Sequence, residues 1–349
     1  MLSFRGRRII GSSLLLLSSL VLSLVLGEVS LRLLGYHGEP QSNISNMYVV
    51  DDPILDWRYI PNSEVSAGRL TMRYNSKGFR DVEHAQENTS GKQRIVVVGD
   101  SVTMGHGVGF DSMFSRALQA RLGSGYEVVT IAMGGLNTPQ ETHLFEQSGL
   151  IYHPNLVILN FVLNDCDFFT NYAANRRVMQ DVDSTIGMLN IKVDPRVKRA
   201  LKSSALIYFV KDRIEDLRGR IVGREEKDYF TRIWSKEQNK ERVITGFDSL
   251  KAMRDTHGFK VVVLIWPLIT NYQRYDFGYV HRWVQSEAEK RGFETLDLLS
   301  AFSQYSQRQL QVSSEDNVHP NSLGHKVGVE AFLDWSKFDS ISKEGVSTQ

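Results

Sequence analysis

A serine and a distant aspartate–histidine pair are the residues of this chain best placed to do chemistry. Ser101 directly follows an apolar run, residues 95–98, and the pair Gly99-Asp100. Asp316 and His319 lie three residues apart near the other end of the chain. Ester chemistry at neutral pH needs a hydroxyl nucleophile, an imidazole that takes its proton, and a carboxylate that orients the imidazole. The pattern predicts a serine hydrolase or acyltransferase with Ser101 as nucleophile, His319 as base and Asp316 as orienting acid.

Two further residues are predicted to donate hydrogen bonds near the serine. Asn164 ends one apolar stretch, and Gly135 follows another. The tetrahedral intermediate of acyl transfer needs donors aimed at its oxyanion. We predict that the backbone N–H groups of Ser101 and Gly135 and the side-chain amide of Asn164 form this oxyanion hole. A tight turn and a helix cap are the alternative explanations for Gly135 and Asn164.

From residue 94 the chain alternates between strand and helix patterns. Continuous apolar strands separated by helices indicate an α/β fold with a parallel sheet covered on both faces. Such a sheet brings the carboxyl ends of its strands to one edge, where open α/β folds bind ligands. The predicted strands are residues 95–98, 126–131, 156–161, 260–266 and 295–298, and the predicted helices are residues 112–122, 139–148, 279–291 and 323–335.

A charged, helix-prone stretch, residues 167–258, interrupts this alternation. A crossover between parallel strands needs only about a dozen residues, so we predict a helical insertion here. It follows the carboxyl end of a strand and should therefore lie beside the rim of the site. We interpret the insertion as a lid or substrate-selecting cap. A helical hairpin without a role in the site is the alternative.

The N-terminus has the pattern of a membrane anchor. Three arginines, Arg5, Arg7 and Arg8, precede an uncharged, leucine-rich stretch, residues 9–27. As a helix this stretch would be ~27 Å long, which is just enough to cross a thin bilayer. The arginines predict a cytoplasmic segment, residues 1–8, with the rest of the chain exported. We favour an uncleaved transmembrane signal-anchor because the helical pattern continues beyond the apolar stretch; a cleaved signal peptide is the alternative.

The remaining segments complete a predicted domain organisation. Residues 28–92 are predicted to form a connector with short β pieces, because they are rich in Asn, Asp, Ser, Gly and Pro. Within it, the polar residues 84–92 are predicted to be a loose linker. The hydrolase domain is predicted to cover residues 93–338, and residues 339–349 form a C-terminal tail.

Composition excludes several other classes of protein. The formal net charge of the 349 residues is +1, so nothing favours a nucleic-acid partner. Cys166 is the only cysteine, which excludes an intramolecular disulfide and a cysteine-rich metal site. His319 and His325 lack a third suitably spaced ligand, so no metal site and no cofactor are predicted.

Four ordered blocks of the sequence resemble those of the SGNH/GDSL hydrolase family. They are Gly99-Asp100-Ser101-Val102-Thr103, residues 130–138, Val162-Leu163-Asn164-Asp165 and Asp316-Asn317-Val318-His319. The resemblance covers residues 94–335 and implies a flavodoxin-like three-layer α/β/α sandwich. The positions that it implies to be functional are Ser101, Gly135, Asn164, His319 and, as the third member of the triad, Asp316.

The anchored arrangement, with residues 75–81 before the first strand, is similar to that of bacterial membrane-tethered members of this family. This similarity implies an inner-membrane protein whose catalytic domain faces the periplasm or cell exterior. Its substrates would be acyl esters of envelope polysaccharide, and its partner a polysaccharide-modification complex. A lysophospholipase or lipase acting on lipid esters is the second interpretation, and a non-catalytic scaffold of such a complex is the third. A group of aromatic residues slightly favours sugar stacking, although core packing would explain it equally well: Tyr272, Tyr275, Phe277 and Tyr279.

Overall fold

Strands and helices alternate along most of the chain in the computed structural model. The strands are β1 (Met47–Val49), β2 (Trp57–Tyr59), β3 (Glu64–Ala67), β4 (Leu70–Arg73), β5 (Gln93–Gly99), β6 (Tyr126–Ala132), β7 (Leu156–Phe161), β8 (Thr185–Ile186), β9 (Ile191–Lys192), β10 (Lys260–Ile265) and β11 (Glu294–Asp297). The α-helices are α1 (Phe4–Leu33), α2 (Ser101–Met104), α3 (Phe114–Leu122), α4 (Thr138–Ser148), α5 (Ala205–Val222), α6 (Glu225–Trp234), α7 (Glu237–His257), α8 (Gly278–Glu289), α9 (Leu299–Phe302), α10 (Gln307–Leu310) and α11 (Ser322–Leu333). The structure describes residues 4–36, 47–67 and 70–167 apart from 51, 53 and 56, short pieces between 185 and 201, and residues 203–222, 225–313 and 316–338.

Five of these strands form one parallel sheet, with the order β11-β10-β7-β5-β6. The chain enters the sheet at β5, adds β6 on one side and then crosses to the other side for β7, β10 and β11. This is the flavodoxin-like order, and its direction reverses between β5 and β7. The predicted α/β class and the five predicted strands are therefore confirmed. Ser101 follows β5 and Asn164 follows β7, so both lie where the order reverses.

Helices cover both faces of the sheet. Successive side chains of a strand point to opposite faces, and accordingly Val96 and Val98 join one apolar cluster while Ile95 and Val97 join the other. Buried side chains of α4, α7 and α8 belong to the first cluster. Those of α3 and α11 belong to the second. The result is the three-layer α/β/α sandwich that was predicted, and each predicted helix of the sandwich begins and ends within two residues of the observed one.

The connector packs into the core of the hydrolase domain. Tyr59, Tyr74 and Phe79 are buried in the same apolar cluster as α4 and α7. The guanidinium of the buried Arg80 donates hydrogen bonds to the carbonyls of Met104, Gly105 and Val108, at 3.1, 2.6 and 2.8 Å. These carbonyls belong to the end of α2 and the loop after it. The connector thus supports the segment that follows Ser101.

The prediction of a loose linker over residues 84–92 is wrong. The His84 ring lies 3.1 Å from a carboxylate oxygen of Asp81 and 2.8 Å from one of Glu127. The buried Arg94 donates to the carbonyls of residues 85, 86 and 87. A buried guanidinium must be satisfied by acceptors, and here the preceding polar segment supplies them. Backbone carbonyls of residues 85–87 therefore hold this part of the stretch against the domain.

The predicted insertion is only partly a separate unit. The helical prediction at residues 210–220 falls within α5, that at residues 234–254 overlaps α7 from residue 237, and β8 and β9 add a two-stranded antiparallel piece. Helix α7 packs along α4 and belongs to a layer of the sandwich, with Gly246 against Thr138 and Pro139. Phe230, Ile233 and Trp234 of α6 are buried in the same apolar cluster, so the segment that stands apart from the sandwich ends within α6. Residues 168–184 and 187–190 of the predicted insertion lie outside the described residues.

Helix α1 contains the predicted anchor. Within its segment Ser12–Leu33, an 18-residue stretch has a mean hydropathy of 2.2, and none of that stretch is buried. Within the described part of the chain, it is the one helix that is long and apolar enough to cross a membrane. This finding rests on length and composition, which a signal sequence would share.

Candidate active site

Ser101 is the first residue of α2, immediately after β5. A side chain at Gly99 would collide with Thr103, so the tight exit from the strand requires glycine. Asp100 caps α2, because its carboxylate accepts a hydrogen bond of 2.9 Å from the backbone N–H of Val102. The serine hydroxyl therefore emerges at the carboxyl edge of the sheet, as the sequence predicted.

His319 and Asp316 lie in the loop before α11 and reach Ser101 from the opposite end of the chain. One carboxylate oxygen of Asp316 accepts hydrogen bonds from the backbone N–H groups of Val318 and His319, at 2.9 and 2.8 Å. Its other oxygen lies 2.7 Å from His319 Nδ1. His319 Nε2 lies 2.8 Å from Ser101 Oγ. The three predicted residues thus form a continuous chain of hydrogen bonds.

The electrostatics of this chain suit proton transfer from the serine. Burial disfavours the charged form of His319, but the hydrogen bond and negative charge of Asp316 outweigh it and raise the pKa of His319 above its ordinary value. Burial likewise opposes ionisation of Asp316, yet its bonds to His319 lower the pKa of that carboxyl. An ionised Asp316 therefore stabilises the imidazolium that forms when His319 accepts a proton.

The predicted oxyanion donors lie around the same point. Gly135 has φ +77°, a left-handed conformation that favours glycine. A Cβ atom at Gly134 would lie 3.6 Å from Ser101 Cβ, so this loop is adjacent to the serine. The backbone N–H groups of Ser101 and Gly135 donate to no acceptor among the described residues. The side-chain amide of Asn164 donates one hydrogen bond, of 3.0 Å, to Asp100.

Asp100 has a central position that sequence reasoning missed. It is fully buried, and one carboxylate oxygen contacts both Asn164 Nδ2, at 3.0 Å, and Ser101 Oγ, at 3.2 Å. Asp100 therefore links the predicted nucleophile to a predicted oxyanion donor. Its place immediately before the serine was visible in the sequence, but no residue pattern indicated its partner at position 164.

Behind Asp100 lie two more buried carboxyl groups, which sequence reasoning also missed. Carboxyl oxygens of Asp100, Glu141 and Asp165 lie within 4.8 Å of one another. Neither oxygen of Glu141 has a hydrogen-bond partner among the described residues. Burial, reinforced by the neighbouring carboxylates, raises the pKa values of Glu141 and Asp165 well above the ordinary range. These two groups therefore favour their protonated, neutral forms.

His106 lies against the predicted base. Its ring centroid is 4.4 Å from that of His319, with the planes tilted by 44°. Crowding by protein atoms, together with the adjacent His319, lowers the pKa of His106 to about 4. His106 is therefore neutral at pH 7. Ligand atoms of His106, Asp316 and His319 lie within 4.8 Å of one another, so this group and the three buried carboxyls are the described clusters whose residue types could ligate a metal.

The aromatic residues after β10 pack mainly in the interior. Phe277 is buried and Tyr275 is half-buried, and the Tyr275 hydroxyl accepts a hydrogen bond from the backbone of Leu268 while contacting His281. Tyr279 is 47% exposed. Core packing therefore accounts for Tyr275 and Phe277, and Tyr279 is left with an accessible ring for stacking.

A flavodoxin-like sheet with serine, histidine and aspartate joined at its carboxyl edge defines a hydrolase of the α/β/α class. A model of the GDSL-like Lipase/Acylhydrolase family matches residues 97–327. The chain belongs to this family, and it is an esterase of the GDSL type.

Several solved structures are similar to the chain at low sequence identity. LAE5, an alpha/beta hydrolase enzyme from the metagenome of Lake Arreo, Spain, is 18% identical, with 69% of this chain and 93% of that chain covered and a TM-score of 0.41. Axe2, an acetylxylan esterase from Geobacillus stearothermophilus, is 15% identical, with 74% and 99% covered and a TM-score of 0.41. CEX, a two-domain esterase active on acetylated mannans, is 13% identical, with 74% and 52% covered and a TM-score of 0.42. A comparison with curated protein sequences finds no match.

Proposed function

We propose that this protein is a membrane-anchored serine esterase or O-acyltransferase that acts outside the cytoplasm on acyl esters of envelope polysaccharide. The observation that carries the proposal is the hydrogen-bond chain from Asp316 through His319 to Ser101, with distances of 2.7 and 2.8 Å. These are the distances at which an imidazole can take a proton from an attacking hydroxyl.

In the first step Ser101 Oγ attacks the carbonyl carbon of the ester, and its proton passes to His319 Nε2. The carbonyl oxygen becomes an oxyanion, which accepts hydrogen bonds from the N–H groups of Ser101 and Gly135 and from the free amide hydrogen of Asn164. The intermediate then collapses. The C–O bond to the alcohol breaks, and the alcohol leaves with the proton from His319.

In the second step the acyl group on Ser101 is transferred to an acceptor. His319 takes a proton from water or from a sugar hydroxyl, whose oxygen attacks the acyl carbon. Collapse of the second tetrahedral intermediate returns the proton to Ser101 Oγ. The same residues serve hydrolysis and transfer, so the outcome depends on which hydroxyl reaches the acyl-enzyme.

The N-terminal sequence supports the proposed location of the enzyme. Residues 1–8 would remain in the cytoplasm, and the apolar residues 9–27 would anchor the chain in the inner membrane. The domain that begins after the connector would then face the periplasm or cell exterior. Ser101 and His319 are only partly buried, which supports a large substrate such as a polysaccharide. A polysaccharide-modification complex would supply such a substrate.

A lipase or lysophospholipase is the second candidate, and the exposed apolar residues of α5 favour it. Ile207, Val210 and Ile214 are 43%, 47% and 49% exposed. Apolar surface on an insertion is a feature that would suit contact with lipid. Acyl esters of an oligosaccharide and of a lysophospholipid, offered separately to the same preparation, distinguish the two candidates by their relative kcat/KM.

The test uses the full chain in detergent, a fluorophosphonate probe and an activated acetyl ester. We expect the wild-type protein to be labelled and to release acetate, and Ser101→Ala and His319→Ala to abolish turnover. Ser303→Ala and His257→Ala, at exposed positions outside the site, are the matched controls and should behave as wild type. A folded wild-type protein without labelling or acetate release would support the non-catalytic scaffold instead. Addition of an oligosaccharide acceptor then separates transfer from hydrolysis, by acylated sugar against free acetate.

A further inference from the structure

Helix α5 carries an exposed apolar stripe. Ile207, Val210 and Ile214 are 43%, 47% and 49% exposed. Residues spaced by three and four positions lie on one face of a helix. The sequence continues the same spacing at Leu217 and Ile221. An exposed apolar stripe of this kind is typical of a surface that contacts a partner or a membrane.

The first turn of α5 is attached to the end of the apolar anchor helix. The Glu28 carboxylate accepts hydrogen bonds from the Ser204 hydroxyl, at 2.7 Å, and from the backbone N–H groups of Ala205 and Leu206, at 3.1 and 2.9 Å. Arg32 donates a hydrogen bond of 2.7 Å to the carbonyl of Ser203. The start of α5 is therefore held beside the last turns of α1.

This attachment fixes where the stripe begins, along the membrane normal, relative to the end of the anchor. A Cβ atom at Gly27 would lie 3.6 Å from methyl carbons of Leu206, so the two residues are adjacent. Gly27 is the last residue of the proposed anchor, and Ile207 is the next residue after Leu206. Consecutive Cα atoms are ~3.8 Å apart. Ile207 therefore lies close to the boundary of the hydrocarbon layer.

The geometry of a helix limits how far the stripe can rise from that boundary. Val210 lies at most ~4.5 Å beyond Ile207 along the axis, and Ile214 at most ~10 Å. The headgroup layer on each side of a bilayer is roughly 5–7 Å thick. Since Ile207 can itself lie ~3.8 Å beyond the boundary, Val210 stays within this layer when α5 runs obliquely to the membrane normal, and Ile214 does so when the helix leans towards the membrane plane.

We propose that the apolar stripe of α5 is seated in the headgroup region of the bilayer that holds α1, so that the insertion rests on the membrane surface. This inference rests on the uncleaved anchor of the proposed function, and it is independent of the catalytic residues. Pairing with a second copy is the rival, because the spacing of the stripe also suits a helical seam. The bilayer is favoured because it already occupies the space beside Gly27 and Leu206.

The experiment uses the full chain in vesicles of phosphatidylethanolamine and phosphatidylglycerol. Cys166 is fully buried, so a fluorescent thiol reagent labels an introduced cysteine. Labels are placed at Val210→Cys and Ile214→Cys in the stripe, at Leu20→Cys in the anchor, and at the exposed Glu237→Cys in α7. Each label is then quenched by lipids that carry a spin label near the headgroup or deep in the acyl chain, and by aqueous iodide. Retained esterase activity identifies the folded variants.

We expect shallow spin-labelled lipid to quench the Val210 label several-fold more than the Glu237 label, and deep spin-labelled lipid to quench the Leu20 label most. The proposal would be overturned, with the anchor still in place, by two results together. Lipid would quench the Leu20 label, and the Val210 label would be as accessible to iodide as the Glu237 label. A Val210 label shielded from iodide but not quenched by lipid, with energy transfer between labelled chains, would assign the stripe to a second copy. If lipid quenched neither the Leu20 label nor the Val210 label, both the proposal and the uncleaved anchor would be rejected.

Discussion

The side-chain amide of Asn164 donates a hydrogen bond of 3.0 Å to the carboxylate of Asp100. An amide nitrogen carries two hydrogens, so this contact uses one and fixes the direction of the other. Asp100 in turn lies immediately before Ser101, with its carboxylate 3.2 Å from the serine hydroxyl. The position of the predicted oxyanion donor is therefore coupled directly to that of the predicted nucleophile.

Replacement of Asn164 by alanine should lower kcat with little change in KM. The lost hydrogen bond would form only to the oxyanion of the transition state, and removal of one such donor lowers turnover by about 10²–10³. Steady-state hydrolysis of an activated acetyl ester measures the effect. Asn271→Ala, at an exposed position outside the site, is the control. A rise in KM at unchanged kcat would assign Asn164 to ground-state binding.

Replacement of Asp316 by asparagine should change the pH dependence of the reaction. His319 acts as a base only when neutral, and its pKa is raised above the ordinary value of 6.5 by Asp316. The acidic limb of kcat/KM should therefore lie above pH 6.5 in the wild type and move to lower pH in Asp316→Asn. Turnover should also fall, by roughly 10⁴ if the asparagine stabilises the wrong tautomer. An acidic limb at the same pH in both proteins would contradict this role of Asp316.

Replacement of Glu141 by glutamine should stabilise the protein at neutral pH. The pKa of this carboxyl is raised well above its ordinary value of 4.5 in the folded state, so folding takes up a proton and the folded state loses stability as pH rises above that value. Glutamine carries no charge and removes this loss. The midpoint of thermal unfolding of Glu141→Gln should therefore exceed that of wild type at pH 7, and the difference should vanish below about pH 4.

The matched control for this prediction is Glu241→Gln, at an exposed position of α7. Its unfolding midpoint should follow that of the wild type across the same pH range. A Glu141→Gln variant that is less stable than wild type at pH 7, and closer to it at pH 4, would show that Glu141 is ionised and stabilised in the folded protein.

Replacement of Arg80 by methionine should destabilise the protein. The carbonyls of Met104 and Val108 would lose their donor inside the fold, and that of Gly105 would keep only the backbone N–H of Val108. Buried groups left unsatisfied in this way cost about 1–3 kcal/mol each, so the free energy of unfolding should fall by about 2 kcal/mol or more. Denaturant unfolding measures it. Arg80→Lys should be intermediate, because a lysine has a single nitrogen in place of the branched guanidinium; wild-type stability in both variants would contradict the role of Arg80.

The sequence predicted the sheet and the triad because both depend on local signals. Buried parallel strands read as continuous apolar runs, as in residues 95–98, and the residue after such a strand must lie at the carboxyl edge. Asp316 and His319 are close enough in the chain for a single turn to join them. These relations need only the spacing of residues and the direction of the strands.

The contacts that the sequence did not reveal are those between distant buried polar groups. Nothing in the sequence around Glu141 indicates that its side chain faces Asp100 and Asp165. Glu141 lies on α4, whereas the two aspartates follow β5 and β7, so the three residues meet only in the folded chain. Likewise the partners of Arg94 in the preceding stretch are backbone carbonyls, which every residue possesses, and its carboxylate partner, Glu127, lies on another strand. The stretch before Arg94 therefore reads as polar linker in sequence although it is held by a buried cation in the structure.

The contacts of Arg80 and Tyr59 also indicate where the folding unit that contains the site begins. The similarity to the GDSL-like family begins at residue 97, but residues that pack on the domain begin well before it, with Asp52 paired to His143 of α4 and Leu55 buried in the core. The edge of sequence similarity and the edge of the folding unit therefore do not coincide. A chimera that joined another anchor at residue 93 would discard Tyr59, Tyr74 and Arg80, and the loop after Ser101 would lose its support. An exchangeable module must instead be cut upstream of Met47, between the anchor and β1, so that it keeps β1 and its pairing with β2, Asp52 and Leu55.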